Sequence, residues 1–402
     1  MNIDVASYQP PADQTAWLGT DPIPAKAYYD PDYYELERQA IFMRTWLTIG
    51  HVCELLEPGS FIRRDLEFAK ASILIVRGKD GVIRGFHNAC THRGTQLEGR
   101  GEGKANAFIC PYHRWNFGLD GALRSAPDFE RFYTTKENCA LKPVSVDVCG
   151  GMIFVNLDPE PAQSLHEFLG EYIVERLETI PAAKATDFCE YTYEIDANWK
   201  LTYDNFQESY HLKFIHPRTG AASYTPENPF GYPENYGFHG VHRSQQFWPN
   251  YNPDVTTPVQ QTVFPMLAGY ATEKGLMPDP TNREYYAVFP GFFIFGSPTQ
   301  HFSHVVYPIS ATRSRGVIRL YWVGDWETAS DRFAREYCLA IAREVHVEDV
   351  NVIKAGQRGL NSGALEHIHF QALEGLCRHL YLVSNGIVEA YKAEQEAAGE
   401  AQ

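Results

Sequence analysis

Two short segments of this 402-residue chain each pair a cysteine with a histidine, Cys90-Thr-His92 and Cys110-Pro-Tyr-His113. Each segment follows a strand-like apolar run and is rich in turn formers, which predicts a loop at the tip of a hairpin. Thiolates and imidazoles are side chains that bind zinc and iron in proteins. If the two hairpin tips meet, four metal-binding side chains converge at one place.

Three interpretations of this pattern compete. A single cysteine or histidine is usually an ordinary buried residue, but the doubled C-x-H and C-x-x-H pattern disfavours that interpretation here. Structural zinc also uses two cysteines and two histidines, typically with the cysteines in one arm and the histidines in the other. A 2Fe-2S centre with two cysteines on one iron and two histidines on the other takes one of each from both loops. The spacing therefore favours the iron–sulfur interpretation.

A second set of candidate ligands, His211 and His216, lies on a predicted helix that begins near Trp199. Residues five apart on a regular helix are separated by about 140°, so both imidazoles reach one ion only if the helix is distorted. Pro217 disfavours helical geometry at the residue before it. We therefore expect the helix to unwind or bulge between the two histidines.

Polar residues support a site on this helix, because Asp204, Glu208 and His211 are spaced i, i+4, i+7 and would share one face. Two imidazoles and one carboxylate form the facial triad that leaves positions open on non-haem Fe(II) for dioxygen and substrate. The third ligand of such a site must come from another part of the chain.

The extended segments Cys90-Thr-His92-Arg-Gly94 and Cys110-Pro-Tyr-His113-Arg-Trp115-Asn-Phe117 resemble the cluster-binding signature of Rieske non-haem iron oxygenases. The resemblance is to the alpha (terminal oxygenase) subunit of the aromatic-ring-hydroxylating dioxygenase family. It extends from about residue 25 to the C-terminal helix and is weakest between 217 and 283. It implies an α+β fold, with a small all-β Rieske domain and a larger catalytic domain whose antiparallel sheet is flanked by helices in a helix-grip, START-like arrangement.

The resemblance also implies the metal ligands. The 2Fe-2S cluster would be held by Cys90, His92, Cys110 and His113, and the mononuclear iron by His211 and His216. In the family the third iron ligand is a carboxylate on a late helix, which corresponds to Asp349 here. Its neighbour Glu348 is the main competitor.

Three further residues become catalytic candidates. Glu208 stands where family members have an acidic residue, often Asp, that bridges the iron's histidine to a Rieske histidine of the neighbouring subunit. Asn205 corresponds to a residue near the iron, and Asp204 belongs to the same polar face.

The elements around these residues suggest three segments. We expect residues 1–44 to pack on the catalytic domain as a proline-rich N-terminal segment, residues 45–155 to form the Rieske domain, and residues 156–402 to form the catalytic domain. A long helix is predicted from about Thr328 to Gln357. The irregular stretch 217–283 is too long for a plain connection, which predicts disorder or a lid that lines the substrate pocket.

Composition excludes several classes of partner. Lys and Arg number 35 against 50 Asp and Glu, so the formal net charge is −15 and no nucleic-acid partner is expected. Eight cysteines are too sparse for a disulfide scaffold, no signal segment is recognisable, and no apolar run is long enough to span a bilayer. We therefore expect a cytoplasmic protein without a membrane partner.

The resemblance implies a terminal oxygenase that activates O2 at mononuclear Fe(II) with electrons from NAD(P)H. No G-x-G-x-x-G motif occurs, so a separate ferredoxin or flavin reductase must deliver the electrons. A homotrimer, with or without a small beta subunit, is expected. The product would arise by mono- or dihydroxylation or oxidative demethylation of a small organic substrate.

The substrate stays open between two classes. The 24 Tyr and 24 Phe favour an aromatic substrate and a role in aromatic hydrocarbon catabolism, with a betaine- or carnitine-like quaternary amine as the alternative. Two functions of another class also remain: a Rieske electron carrier and a zinc-stapled interaction protein.

Overall fold

A computed structural model of the chain describes residues 11–220, 223–248, 257–273, 284–296, 301–324 and 328–400. The chain divides into two compact units, Phe42–Glu178 and the combination of Met1–Ile41 with Thr179–Gln402. We call them the β unit and the α+β unit. The β unit extends past residue 155, and the predicted domain boundaries stay predictions.

The strands of the described residues, numbered in chain order, are β1 Ile23–Pro24, β2 Leu47–His51, β3 Ser60–Leu66, β4 Ala71–Arg77, β5 Ile83–His87, β6 Glu102–Lys104, β7 Phe108–Ile109, β8 Asn116–Phe117, β9 Leu123–Ser125, β10 Pro143–Cys149, β11 Met152–Asn156, β12 Asp187–Ile195, β13 Asn235–His239, β14 His242–Gln246, β15 Glu284–Val288, β16 Phe292–Gly296, β17 His301–Ser310, β18 Arg313–Trp322 and β19 His367–Ile368. The α-helices of the same residues are α1 Pro31–Glu37, α2 Leu165–Thr179, α3 Trp199–Asp204, α4 Leu212–Ile215, α5 Pro258–Glu273, α6 Ala329–Asn361 and α7 Gly375–Glu400. None of these helices has the length and apolar composition needed to cross a membrane.

The β unit contains two antiparallel sheets in its described residues, with strand orders β2-β11-β10-β5-β4-β3-β6 and β7-β8-β9. Apolar β-branched runs such as that of β4 form the buried strands. Cys90 and Cys110 belong to the buried core, together with Phe61, Phe86 and Trp115. The predicted small all-β domain is confirmed.

The α+β unit is built on an antiparallel sheet of order β12-β18-β17-β16-β15-β14-β13. Residues paired across antiparallel strands share a face. One such row places Arg243, Ala287, Phe293, His304, Ile318 and Tyr191 on the same face. Helix α3 contacts β17 and β18, and α6 contacts β12. A sheet flanked by helices was predicted and is confirmed.

The N-terminal segment is tied to the α+β unit by specific bonds. Strand β1 pairs with β19. The Glu37 carboxylate and the Lys200 ammonium form an ion pair at 2.7 Å, and both side chains are fully buried. The Tyr28 hydroxyl donates to Asp204 at 3.0 Å.

Two predictions about local structure are wrong. The described part of residues 217–283 is not irregular throughout, because it contains the β13–β14 hairpin and helix α5. Strand β14 has the sequence His-Arg-Ser-Gln-Gln, of which the first four residues are buried. A buried strand made of polar residues lacks the apolar alternation by which strands are recognised. The second error concerns the helix predicted to carry both histidines, because helix α3 already ends at Asp204.

Candidate metal centres

The two cysteine–histidine loops have the same backbone design. In the first, the Cys90 N–H donates to the Thr95 carbonyl at 2.8 Å, and the Gly94 N–H donates to the Cys90 carbonyl at 2.8 Å. The second loop repeats both bonds, from Cys110 to Trp115 at 2.8 Å and from Arg114 to Cys110 at 3.0 Å. The fifth residue of each loop has a positive φ, 76° at Gly94 and 61° at Arg114. These turns present one cysteine and one histidine each.

The four side chains converge between the loops. The two thiols are buried, and the imidazoles of His92 and His113 have ring centroids 4.6 Å apart. The His92 ring stacks on Trp115 at 4.8 Å, and its buried Nδ1 has no hydrogen-bond partner among the described residues. A buried ring nitrogen without a partner is free to bind a metal. The donor set of two thiols and two imidazoles therefore fits a Rieske 2Fe-2S cluster.

Electrostatics at the first loop also suits a bound metal. Burial raises the pKa of the Cys90 thiol to about 11, and hydrogen bonds from the main chain of His92 and Arg93 act in the opposite direction. A metal ion deprotonates a coordinating thiol outright. The main-chain donors that point at this sulfur would stabilise the thiolate.

The chain between Trp199 and Pro217 differs from the predicted helix. Helix α3 ends at Asp204, the chain continues in turns, and α4 begins only after His211. The histidines therefore bracket a single helical turn, so the prediction of a break between them is wrong. His216 itself leaves the helix at φ −115° and ψ 50°, as expected for a residue that precedes proline.

This geometry brings three predicted ligands together. One ligand atom each from His211, His216 and Asp349 lies within 4.8 Å of the others. Asp349 Oδ1 is 2.9 Å from His216 Nε2 and 3.5 Å from His211 Nε2. Asp349 and His216 are buried, and His211 is partly exposed. The donor set is the facial triad of two imidazoles and a carboxylate, and it fits Fe(II).

Two glutamates hold the outer nitrogens of the histidines. Glu208 Oε1 contacts His211 Nδ1, and Glu208 Oε2 accepts the main-chain N–H of His211 at 3.2 Å. Glu348 Oε2 lies 2.7 Å from His216 Nδ1 and accepts the Thr219 hydroxyl at 2.5 Å. Metal-binding histidines commonly donate their second N–H to a carboxylate, which fixes the tautomer and the ring orientation. Glu348, the competitor for the ligand position, thus contacts the far side of His216 instead.

The neighbouring residues Asn205 and Asp204 have different hydrogen-bond partners. Asn205 Nδ2 is 3.4 Å from Asp349 Oδ1, and its buried Oδ1 has no partner among the described residues. Asp204 does not belong to the three converging ligands; its carboxylate accepts hydrogen bonds from the Tyr28 hydroxyl and from Gln207 Nε2 at 3.2 Å. The predicted polar face of Asp204, Glu208 and His211 therefore does not form, because residues 205–211 are not helical.

The pKa values follow these environments. Burial raises the pKa of Asp204 to about 7, although the hydrogen bond from Tyr28 and the positive charges of Arg243 and Lys200 lower it. Burial by itself lowers the pKa of His216, but the hydrogen bonds and charges of Asp349 and Glu348 outweigh it and leave the pKa raised. The triad therefore concentrates negative charge around its imidazoles.

The ligands are far apart in the sequence, and hydrogen bonds of two polar side chains, Asn198 and Gln357, connect the segments that carry them. Asn198 caps α3 by accepting the Lys200 N–H at 2.9 Å. The Gln357 side chain of α6 accepts the Asn198 N–H at 2.8 Å and donates to the Tyr28 carbonyl at 3.0 Å. These bonds fix α3 against α6, the helix that carries Asp349.

A cluster that sequence reasoning missed lies on the inner side of α6 and the sheet. It comprises Tyr193, Phe206, His304 and His346. The two imidazoles contact each other, and each of them contacts the rings of Tyr193 and Phe206. Burial lowers the pKa of His346 to about 4 and the pKa of His304 well below its usual value, so both imidazoles are neutral at pH 7. The spacing of His346 three residues before Asp349 is the signal that could have revealed it.

Among nearby aromatic residues, Phe293 shares the sheet face of His304, whereas Phe214, between the two histidines in sequence, is 63% exposed.

Two family models match the chain. The Rieske [2Fe-2S] domain model matches residues 45–144, and the model of the ring hydroxylating alpha subunit (catalytic domain) matches residues 183–389. The four cysteine and histidine residues of the two loops lie within the first match, and the three converging ligand residues lie within the second.

Several curated proteins are similar over long stretches. The carnitine monooxygenase oxygenase subunit of Acinetobacter pittii is 30% identical over 352 residues, which cover 84% of this chain and 85% of that protein. The glycine betaine monooxygenase oxygenase subunit of Pseudomonas aeruginosa is 35% identical over 196 residues, 48% of this chain and 44% of that protein. The alpha subunit of 2-aminobenzenesulfonate 2,3-dioxygenase from an Alcaligenes species is 33% identical over 201 residues, 48% of this chain and 50% of that protein.

Solved structures show the same fold. A quaternary ammonium Rieske monooxygenase in complex with L-carnitine has a TM-score of 0.72 at 25% identity, with 94% of this chain and 99% of that chain covered. Naphthalene 1,2-dioxygenase from Rhodococcus has a TM-score of 0.70 at 20% identity and 91% and 94% coverage, a likeness of fold alone. Oxygenases of this family use a 2Fe-2S cluster, a mononuclear iron, O2 and electrons supplied by a reductase. With two family models and a relative aligned over most of both chains, this chain belongs to the Rieske non-haem iron oxygenases, as an alpha subunit.

Proposed function

We propose that this oxygenase acts on a quaternary ammonium compound of the carnitine or betaine type. In this proposal Cys90, His92, Cys110 and His113 hold the cluster, and His211, His216 and Asp349 hold Fe(II). The observation that supports the iron site is the convergence of Asp349 Oδ1 on the Nε2 atoms of both histidines, at 2.9 and 3.5 Å.

Fe(II), when bound, would supply the open coordination positions at which O2, two electrons and two protons convert a C–H group into C–OH and one molecule of water. The residues of the chain prepare that position. Glu208 and Glu348 hold protons on the Nδ1 atoms of His211 and His216, so both Nε2 atoms present lone pairs to the metal. Asn205 places an amide donor 3.4 Å from the inner carboxylate oxygen of Asp349.

Electron delivery to this iron would pass through Glu208. Its carboxylate already contacts His211, and both side chains are partly exposed, at 13% and 15%. A second subunit can therefore approach this carboxylate with its cluster histidine. One related structure is described as showing inter-subunit electron transfer. We infer a homotrimer reduced by a separate ferredoxin or flavin reductase, with the beta subunit and the cytoplasmic location kept as predictions.

The choice of substrate class rests on the relatives. The carnitine monooxygenase subunit aligns over most of both chains, whereas the aminobenzenesulfonate dioxygenase aligns over half of each. This favours the quaternary amine, the alternative in the sequence analysis, over the aromatic substrate. An aromatic acid is the second candidate, because Tyr285, Phe293, Phe295 and Phe302 form a ring cluster on the inner sheet face.

Metal analysis and a product assay test the proposal together. We expect about three irons and two sulfides per chain, since the cluster contributes two of each. The assay supplies a surrogate reductase, NADH and one candidate at a time: L-carnitine, γ-butyrobetaine, glycine betaine, benzoate or 2-aminobenzenesulfonate. Oxidised product from a quaternary ammonium compound supports the proposal. Product from the aromatic acids alone would overturn the substrate class, and stoichiometric zinc would overturn the whole assignment.

The role of Glu208 has its own test. Glu208→Gln keeps the size and the hydrogen-bonding capacity but removes the negative charge, whereas Glu208→Asp keeps the charge. We expect product formation to fall about 100-fold in the first variant and much less in the second, with iron content retained in both. Rapid-mixing oxidation of the reduced cluster measures the electron-transfer step directly. An unchanged cluster oxidation rate in Glu208→Gln would exclude this route.

A further inference from the structure

The cluster of Tyr193, Phe206, His304 and His346 contains hydrogen-bonding atoms that pair with no described residue. His304 is fully buried and His346 is 1% exposed. His304 Nε2 lies 2.7 Å from the Tyr193 hydroxyl. His304 Nδ1 and both ring nitrogens of His346 have no hydrogen-bond partner among the described residues. Buried polar atoms in native proteins are nearly always paired, so these three atoms require an explanation.

A neutral imidazole carries one N–H donor and one acceptor nitrogen. His346 therefore holds one N–H group for which the described part of the chain offers no acceptor. His304 holds a second one when the Tyr193 hydroxyl donates to its Nε2, because the proton then resides on Nδ1. The ring neighbours of His346 are Tyr191, Tyr193, Phe206 and His304, which offer mainly ring faces. A buried donor without a partner is destabilising, and a bound acceptor would offset that cost.

The position of these donors relates them to the iron site. His346 lies three residues before Asp349 on the buried face of α6, so both side chains point to the same side of the helix. Phe206 follows Asn205 directly, and its ring centroid is 4.1 Å from that of His304. His304 is on the inner face of the sheet, in register with Phe293. The donors thus lie between the sheet and the helix that supplies the carboxylate ligand.

We infer that His304 and His346, with Tyr193 holding the first, form a subsite that binds an acceptor group of the substrate beside the iron. This inference rests on the proposed function, and in that substrate class the acceptor is a carboxylate. A carboxylate accepts N–H groups in charge-assisted bonds that are shorter and stronger than neutral ones. The subsite therefore selects zwitterionic or anionic substrates against those that lack an acceptor.

The test compares matched compounds that differ in the acceptor. γ-Butyrobetaine and butyltrimethylammonium form one pair, and benzoate and toluene form the other. Dissociation constants are measured by calorimetry on the anaerobic, reduced holoenzyme. His346→Phe and His304→Phe remove the donors and keep a ring, whereas His346→Asn keeps an N–H group. His379→Phe is the matched control, because His379 is also buried and its Nδ1 pairs with no described residue, but its ring packs on Trp17 and Phe238 instead.

We expect the two phenylalanine variants to weaken binding of the compound with a carboxylate about 10- to 100-fold. Binding of the compound without a carboxylate should change less than about twofold. His346→Asn should restore part of the loss, and His379→Phe should leave the ratio unchanged. Equal losses for both members, or an unchanged ratio, would mean that water alone pairs the imidazoles and would overturn the inference.

The outcomes also separate this inference from the substrate class. A carboxylate preference that depends on the histidines only in the benzoate pair would overturn the quaternary ammonium proposal and support the subsite. Tight binding of γ-butyrobetaine that does not depend on His304 or His346 would overturn the subsite and support the quaternary ammonium proposal. Failure of all four compounds to bind would overturn both.

Discussion

The four residues proposed for the cluster lie between positions 90 and 113 on two loops with the same pair of backbone hydrogen bonds. The three residues proposed for the iron lie between positions 211 and 349, on two segments connected by the hydrogen bond from the Asn198 N–H to the Gln357 side chain. Local hydrogen bonds fix the first set, whereas tertiary packing fixes the second. A centre of the first kind can be recognised from a short motif, whereas one of the second kind requires either the fold or a resemblance to a known family.

The largest effect is expected when one ligand of the iron site, which is held by tertiary packing, is removed. His216→Ala should lose the mononuclear iron and lower product formation on the order of 10³-fold, since a bound metal contributes several kcal/mol to the reaction. The cluster absorption should stay unchanged, because its four ligands belong to a separate unit. Loss of cluster absorption in this variant would show that the two centres are not independent.

The adjacent carboxylates Glu348 and Asp349 provide the next test. Asp349→Ala should abolish iron binding, whereas Glu348→Ala should weaken it only about 10- to 100-fold, because Glu348 orients His216 from its Nδ1 side. Glu348→Gln is the matched control that keeps the side-chain length. Iron titration under anaerobic conditions gives the affinities. The reverse order of losses would exchange the roles of the two residues.

The raised pKa of the buried Asp204 predicts a pH dependence of the free energy of unfolding. Its folded pKa of about 7 exceeds the usual 3.8, so the folded state binds the proton more tightly than the unfolded state. This group therefore adds stability as the pH falls from about 7 towards 4, by up to about 1.4 kcal/mol per pH unit. Asp204→Asn removes the contribution. The wild-type advantage in free energy of unfolding, from urea titrations at pH 7 and pH 5, should grow at the lower pH.

A pH-independent difference between the two proteins would contradict the raised pKa. His346, with its pKa of about 4, acts in the opposite direction below pH 6.5, but it is present in both proteins and cancels.

The smallest effect is expected from a backbone substitution in the cluster loops. Gly94 has φ 76° and open space where a Cβ would lie, so Gly94→Ala adds backbone strain without a clash. We expect a loss of about 1 kcal/mol in stability, seen as earlier loss of cluster absorption on heating. Arg114→Gly in the other loop is the mirror experiment and should relieve strain. Destabilisation by both variants would mean that the loops are not equivalent.

The sequence predicted local features well. The loops at Cys90 and Cys110 follow from their spacing and turn residues, and the long helix follows from its periodicity. Asp349 was chosen over Glu348 on family resemblance, because adjacent carboxylates on a helix look alike in a sequence. Their different partners follow only from the packing of His216 against α6.

Two features were beyond the sequence for physical reasons. The segment 205–211 has helix-forming residues but adopts turns, since Asp204 and Gln207 bond inward while Asn205 and Glu208 face the ligands. His304 and His346 are far apart in the chain, and only the sheet register and the α6 face bring them together. Tertiary contacts thus override local propensity where the chemistry is proposed.

The buried pair of Glu37 and Lys200 has a consequence for the order in which the protein is made. Their charged groups are 163 residues apart in the chain, and the whole β unit is synthesised between them. Removing one partner of a buried ion pair costs about 3–5 kcal/mol, so the α+β unit stays incomplete until Lys200 meets Glu37. The β unit, which is continuous, can fold on the ribosome first. The early N-terminal segment must wait for its later partner, which makes this unit the slower one to mature.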